Sequence, residues 1–580
     1  MAGPDRASSA RQLACTASRS IVSVARAIAP SSAPRGCRGP RPARGVKGAG
    51  RGCAVDRGGG PCQACPRREP TRGWGVADQT GLFGRTRSFA TIGPAARRVA
   101  VIDVGSNSVR LVVFDGNARS PAYFFNEKVL CGLGQGLAGR GTLNPEGRAR
   151  ALATLRRFAA LAERMRVGAL EAVATAAVRE ASDGAEFLAE VERETGLRVR
   201  IASGEDEARL SAQGVLVGRP DAEGVVADTG GASMELARLS RGAVRGTVTT
   251  PLGPFPLRDL GLSGPALNRH VRDVLARAWE ELAGPVPELF LVGGAWRALG
   301  RAHMRKTAYP LPVLQDYHME PAALMRTARR VAECTPAELA QRWGVSASRA
   351  PLLPLNARVM IGLLKTLRPD RVTLSAYGLR EGILWEKMTP RARMRDPLIE
   401  ACRFLESRHA RFPGFGAQLF AWLRPLIGAG EDAGMLRLAE AACLLHDVNW
   451  RGHPDFRAEM GFETVIRASI AGIDHPGRVF IGLALSYRYG GGRPDGRLLA
   501  LIDERARVAA ERLGRAMRLG AMISGSAPAA LEDAPIAVED GRLVLVLGPM
   551  MHELAGEVVE KRLAALARAM GLEPVLQLGG

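Results

Sequence analysis

One short pattern occurs twice in this chain, and it limits the fold more than any other feature. Residues 99–115 read as an apolar run ending in Asp103, a turn of small residues at Gly105-Ser106-Asn107-Ser108, and a second apolar run from Val109 to Phe114. Two β-rich runs joined by a tight turn predict a hairpin. Residues 228–236 repeat it in register. Asp228, Gly230, Ser233 and Leu236 fall where Asp103, Gly105, Ser108 and Leu111 stand, after the apolar run Val225-Val226-Ala227. Glycine lets a ligand approach the backbone, and hydroxyl and amide donors beside free N–H groups suit phosphate oxygens with a metal ion nearby. Two copies predict two related lobes whose turns face each other across a cleft.

The 580 residues are 46% hydrophobic and 24% charged, enough for several domains with substantial cores. The formal charge of +22 is uneven, because residues 1–98 hold 18 Lys/Arg against 4 Asp/Glu. Residues 1–95 are rich in Gly, Pro, Arg, Ser and Ala without apolar periodicity, which predicts disorder. This opening loosely resembles an organellar transit peptide, with an over-extended reading frame or a solvated tail as the other readings. It lacks the interleaved aromatics of a nucleic-acid arm, so no specific nucleic-acid partner is expected. Cys15, Cys37, Cys53, Cys62 and Cys65 lie here, and Cys62-x-x-Cys65 lacks the second pair a zinc site needs. The scattered Cys131, Cys334, Cys402 and Cys443 predict reduced thiols and a cytoplasmic protein. No apolar run reaches membrane-spanning length.

The ordered chain is expected from about Arg97. Leu133–Leu137 reads as a loop, and Asn144-Pro145-Glu146 opens a helix whose apolar face is Leu152, Leu155, Phe158, Leu161 and Met165. Arg179 follows the strand-like Ala172–Thr175. It is either a solvated helix charge or a guanidinium that grips phosphate. Asp183 and Glu186 form a capping-box-like helix start. Ser203 caps a helix whose first turn carries Glu205, Asp206 and Glu207, where acids often only stabilise the helix start. Leu289–Val292 reads as a buried strand ending in Gly293-Gly294-Ala295 before a helix, another phosphate-contact arrangement. Arg371–Ser375 reads as a strand, and Gly378-Leu379-Arg380-Glu381-Gly382 as the start of a helix running to about Met388.

Asp103–Asn107, Ser203–Arg209, Asp228–Leu236, Gly293–Ala295 and Gly378–Gly382 together resemble the exopolyphosphatase/guanosine pentaphosphate phosphohydrolase family of the actin, sugar-kinase and heat-shock-ATPase superfamily. The resemblance covers residues 97–388 with specific motifs and 396–580 more loosely. It implies an α/β fold with two ribonuclease-H-like lobes around a cleft, at 96–212 and 213–388. An all-α HD-like domain at 396–520 and a small α/β module at 521–580 follow. It implies Glu207 and Glu235 as catalytic, with Asp103, Asp228 and Glu235 as Mg²⁺ ligands. Phosphate binding is implied for Gly105, Ser106, Asn107, Arg179, Gly230, Gly231, Ala232, Ser233, Gly293 and Gly294. The family usually has Gly and Thr where this chain has Ala232 and Met234, which bears on substrate preference. The expected activity is hydrolysis of terminal phosphate from inorganic polyphosphate, with guanosine pentaphosphate as a second substrate, by a homodimer. A nucleotide-dependent kinase of the same superfamily and a non-catalytic polyphosphate- or alarmone-binding regulator are the alternatives.

In the C-terminal half, Pro397–Arg408 and Leu436–Leu445 read as helices. His409, His446-Asp447, His453 and His475 resemble an HD phosphohydrolase pattern, which is either a second metal site or a structural His–Asp pair. Arg478, Arg488, Arg493 and Arg497 near Tyr487 and Tyr489 fit a polyanion groove or a solvated face. A hairpin is expected at Glu539–Arg542, then a helix at Met551–Met570 and a strand at Val575–Leu578.

Overall fold

The computed structural model describes residues 98–116, 118–427, 432–491 and 494–579. The expectations for the N-terminal tail, its cysteines and Arg493 lie outside these residues.

Alternating or continuous apolar runs make the strands, and the small turns between them set the pairing. β1 (Val99–Val104), β2 (Ser108–Phe114), β3 (Tyr123–Leu130), β4 (Ala169–Ala174) and β5 (Val199–Ile201) form one sheet in the order β3-β2-β1-β4-β5. β6 (Gly224–Thr229), β7 (Met234–Ser240), β8 (Ala243–Thr250), β9 (Glu288–Gly293), β10 (Tyr317–Met319) and β11 (Arg371–Leu374) form a second, ordered β10-β11-β9-β6-β7-β8. Without β10, which joins β11 antiparallel at the edge, the second sheet repeats the first strand for strand. β1 is antiparallel to β2 and parallel to β4, as β6 is to β7 and β9. The register repeats too: Asp103 pairs with Arg110, and Asp228 pairs with Glu235. Even the turn bond is shared, since Gly105 N donates to Ser108 O and Gly230 N to Ser233 O, each at 3.0 Å.

β1 and β6 are buried almost throughout, as central strands covered on both faces should be. Between the sheets lies an apolar layer containing Val101, Phe114 and Val173 from the first, and Val226, Phe290 and Val292 from the second. Two helices run through this layer, Gly204–Gly218 and Leu379–Lys387. They cross almost backbone on backbone. A methyl on Gly382 would stand 1.9 Å from Leu210 O, and one on Gly214 would stand 2.2 Å from Gly378 O. Only glycine allows that approach. Ser203 and Asp206 make the expected reciprocal cap on the first helix.

Some local readings change. Asp183 precedes its helix but makes no cap bond, because its carboxylate accepts from Leu143 N at 2.9 Å and Arg148 at 3.2 Å. Leu137, read as the end of a loop, instead opens a single helical turn, Leu137–Arg140.

Helices dominate residues 397–524, and one hydrophobic cluster joins them to a third sheet, β12 (Ile536–Glu539), β13 (Arg542–Leu547) and β14 (Glu573–Leu578). The Asp540-Gly541 turn forms as expected, both residues having positive φ. The last helix begins at Glu557, six residues later than read, because Pro549–Leu554 takes a 3₁₀ turn. Among the described residues no helix is long and apolar enough to cross a membrane.

Candidate active site

The two duplicated turns meet. A methyl on Gly231 would stand 3.3 Å from Ser106 Cβ, so the backbones of Gly105–Asn107 and Gly230–Ser233 flank a single cavity of about 630 Å³. Gly293-Gly294 at the end of β9 also line it. Gly293 holds φ at +111°, and a methyl there would meet Thr229 O at 2.6 Å and Asp228 Oδ1 at 2.9 Å. A side chain would therefore force β6 and its aspartate aside. Trp296 Nε1 donates to Ala227 O at 3.1 Å, locking the helix after Gly293 onto β6.

Four carboxylates reach this cavity: Asp103, Glu207, Asp228 and Glu235. Asp103 is paired with Arg380 at 3.1 Å. Glu207 and Ser211 lie one helical turn apart on the same face of the first crossing helix, and Ser211 Oγ donates to Asp228. Glu207 is buried and accepts from Arg179 Nη1 at 2.5 Å. Burial pushes its carboxyl up to about 7, with Asp228 and Asp103 adding repulsion and Arg179 opposing. Glu235 is 3% exposed, and its Oε1 has no hydrogen-bond partner among the described residues. Burial, then the Glu207 and Asp228 charges, holds it well above the usual carboxylate range. Asp228 is raised by its withdrawal from water.

This set fits a small divalent cation. Asp103 and Glu207 have guanidinium partners within ion-pair distance. Asp228 and Glu235, opposite one another across the β6–β7 hairpin, make no ion pair among the described residues and feel Arg297, Arg380 and Arg179 only at longer range. Among the described residues no three His, Cys, Asp or Glu side chains converge into a metal cage, so Asp103, Asp228 and Glu235 do not form a closed ligand set. Mg²⁺ needs none, since it keeps waters and binds through one or two carboxylates plus substrate phosphate.

Arg179 is displaced from its expected place. It does not line the cavity, and its Nη1 is held by Glu207 and by Ala202 O at 2.7 Å. The cations that do line it are Arg110, Lys128, Arg297, Arg301, Arg349 and Arg380. Arg297 is pushed down to about 10 by burial and by Arg380 and Arg110. Sequence reasoning missed these six. Arg110 had a signal, since it occupies the place of Glu235 in the repeat. Arg297 and Arg301 had another, being four residues apart on the helix after Gly293. Lys128 and Arg349 reach the cavity only through the fold.

Residues 90–390 match the Ppx/GppA phosphatase family, and residues 398–576 match the family described as "Exopolyphosphatase, C-terminal". The chain belongs to the Ppx/GppA phosphatase family. Exopolyphosphatase 1 of Mycobacterium tuberculosis is 27% identical over 309 residues, covering 51% of this chain and 89% of that protein. A solved Ppx/GppA family member from Aquifex aeolicus is 26% identical over 50% of this chain and 97% of its own, with a TM-score of 0.45. An exopolyphosphatase structure from Cytophaga hutchinsonii is 23% identical over 50% of this chain and 97% of its own, with a TM-score of 0.46. Within the Ppx/GppA match lie both duplicated hairpins and every residue of the cavity.

Among the described residues the histidines of the C-terminal half join no group of three metal-ligating side chains. His446 Nδ1 lies 2.8 Å from Cys443 O, and burial first, with Arg488 next, pushes the ring down to about 3, so it is neutral. Asp447 is gripped by Arg411 through contacts of 2.7 and 2.8 Å. His475 bonds Tyr309 and Gln315 O, and His453 is exposed. Among the described residues Arg478, Arg488 and Arg497 line no common groove either. Arg478 is 1% exposed and donates to Val465 O, Ala468 O and Ile470 O. Arg488 is buried, and Arg497 is paired with Asp495 on the surface.

Proposed function

We propose that this protein is an exopolyphosphatase that hydrolyses the terminal phosphoanhydride bond of inorganic polyphosphate. The observation that supports it best is the pair of small-residue turns, Gly105–Asn107 and Gly230–Ser233, facing one another across a cavity with carboxylates and six basic side chains on its walls. Phosphoryl transfer needs its charge neutralised and its nucleophile aligned more than it needs covalent help. In this reading the turns, with Gly293 and Gly294, hold the terminal phosphoryl oxygens through backbone and hydroxyl donors. Arg110, Arg297, Arg349 and Lys128 hold the phosphates behind it. Asp228 and Glu235 would hold Mg²⁺, which supplies charge neutralisation at the phosphoryl oxygens. Asp103 has the lesser share, since Arg380 already takes one of its oxygens. Glu207 accepts the proton of the attacking water on the oxygen Arg179 leaves free, and a carboxyl near 7 suits a base at neutral pH. Arg179 acts through Glu207 rather than on phosphate. Ribonuclease-H-like lobes, an HD-like helical region, a small α/β terminal module, a homodimer and a cytoplasmic location belong to the same reading.

The test is orthophosphate release from long polyphosphate, guanosine pentaphosphate and ATP, with and without Mg²⁺. Release from polyphosphate should require Mg²⁺ and no acceptor. Glu207→Gln should slow it by about a hundredfold or more while leaving substrate binding measurable. Wild-type turnover in that variant, or phosphoryl transfer only in the presence of an acceptor, refutes the reading.

A further inference from the structure

The two duplicated aspartates are held by different chemistry, and the helices that hold them are exchanged between the sheets. β5 and β11 occupy matching places in the two strand orders, and each leads into one of the crossing helices, Gly204–Gly218 and Leu379–Lys387. The helix after β5 reaches Asp228 of the second sheet through Ser211. The helix after β11 reaches Asp103 of the first sheet through Arg380, at 3.1 Å.

Ser211 departs from the ordinary behaviour of a hydroxyl inside a helix, which is to bond the carbonyl one turn back. Thr154 does so to Arg150 O at 2.7 Å, Thr195 to Val191 O at 2.6 Å, Thr327 to Ala323 O at 3.1 Å and Ser524 to Gly520 O at 2.7 Å. Ser211, 1% exposed, gives its single proton to Asp228 Oδ2 instead. The backbone beside it has no room to shift, because a methyl on Gly382 would already stand 1.9 Å from Leu210 O. The other oxygen of Asp228, Oδ1, lies toward Gly293, where an added methyl would come within 2.9 Å of it, and Asp228 lines the main cavity.

The two partners have opposite consequences for a cation. Arg380 carries a full charge, so it neutralises Asp103, and a metal ion there would compete with it. A hydroxyl carries none. It fixes the carboxylate in place and leaves the negative charge available, which is the way supporting hydrogen bonds orient the ligands of metal sites.

We propose that Ser211 is a positioning residue for the divalent cation: its hydroxyl holds one oxygen of Asp228 so that the other is presented to the metal. This rests on the reading in which Asp228 and Glu235 hold Mg²⁺. Glu207 stands one turn before Ser211, so a single helix sets both the base and the metal-side aspartate.

Titration of the full chain with Mn²⁺, followed by the electron paramagnetic resonance of the free ion, reads binding without turnover. Ser211→Ala should weaken it by about tenfold or more. The half-saturating Mg²⁺ for phosphate release should rise by the same factor, with the KM for polyphosphate at saturating Mg²⁺ unchanged. Ser211→Cys keeps the volume but donates weakly, so its affinity should fall as well. Wild-type affinity in Ser211→Ala, or its recovery in Ser211→Cys, would show that the side chain only fills space and would overturn the proposal. Asp228→Asn tests the reading beneath it. If that variant binds Mn²⁺ as the wild type does, or the wild type binds none, the metal assignment fails. If Asp228→Asn loses the ion while Ser211→Ala keeps it, only the role of Ser211 falls.

Discussion

Replacing Arg179 by glutamine separates a positioning residue from a phosphate ligand. The guanidinium sits 2.5 Å from Glu207 Oε1 and opposes the rise that burial imposes on that carboxyl. A hydrogen bond to a charged group contributes about 1.5–3 kcal/mol, and about 1.4 kcal/mol corresponds to one pKa unit. Losing it should move the acid limb of the pH–rate profile up by about 1–2 units. From a starting value of about 7, the ionised fraction of Glu207 at pH 7 falls from about a half to between a tenth and a hundredth. Bound Mg²⁺ lowers both limbs, because added positive charge favours the carboxylate, so the difference between the two proteins is the quantity to read. The assay is orthophosphate release from polyphosphate between pH 5 and 10 at saturating Mg²⁺, where the variant should recover at the alkaline end. A variant with an unmoved limb, slowed equally at every pH or altered only in KM, would show that Arg179 grips substrate and would refute the reasoning.

Glu207 should also leave a mark on stability. Its carboxyl is raised from 4.5 to about 7 in the folded chain, so between those values the folded state holds a proton that the unfolded state has released. Stability therefore falls as pH rises through that window, by up to about 3 kcal/mol, and Glu207→Gln should flatten the slope in denaturant titrations. Gly293→Ala should cost about 1–3 kcal/mol by thermal unfolding and depress turnover, since its methyl collides with Thr229 O and Asp228. Gly382→Ala should lower the melting temperature similarly by prising the crossed helices apart at Leu210 O. Asp447→Asn should cost about 1–3 kcal/mol by loosening Arg411, yet leave phosphate release and metal content unchanged, because Arg411 already engages both of the carboxylate oxygens.

The hairpins were legible because a turn that must stay small can be built from few residue types, and a second copy in register is a strong coincidence. From it follow the facing turns and the matching strand orders. β3 and β10 were not read: β3 alternates half-buried and exposed positions along a sheet edge, and β10 is three residues long. The cavity's cations were illegible for another reason. Arg380 meets Asp103 across 277 positions of chain, a pairing with no local periodicity to announce it. The C-terminal arginines show the opposite error. Arg478 and Arg488 were read as lining a groove or a solvated face, yet the helix His475–Tyr489 is buried on nearly every face and carries them inward.

One cross-strand pair breaks the duplication: Asp103 opposite Arg110 in the first hairpin, Asp228 opposite Glu235 in the second. Had both copies stayed alike, the chamber between them would be near-symmetric and indifferent to which way a threadlike guest lay. A single inversion of sign gives it a front and a back. If Asp228 and Glu235 hold a divalent cation as proposed, a linear anion would have one favourable heading, with its tip toward that cation and its trailing units along the basic flank.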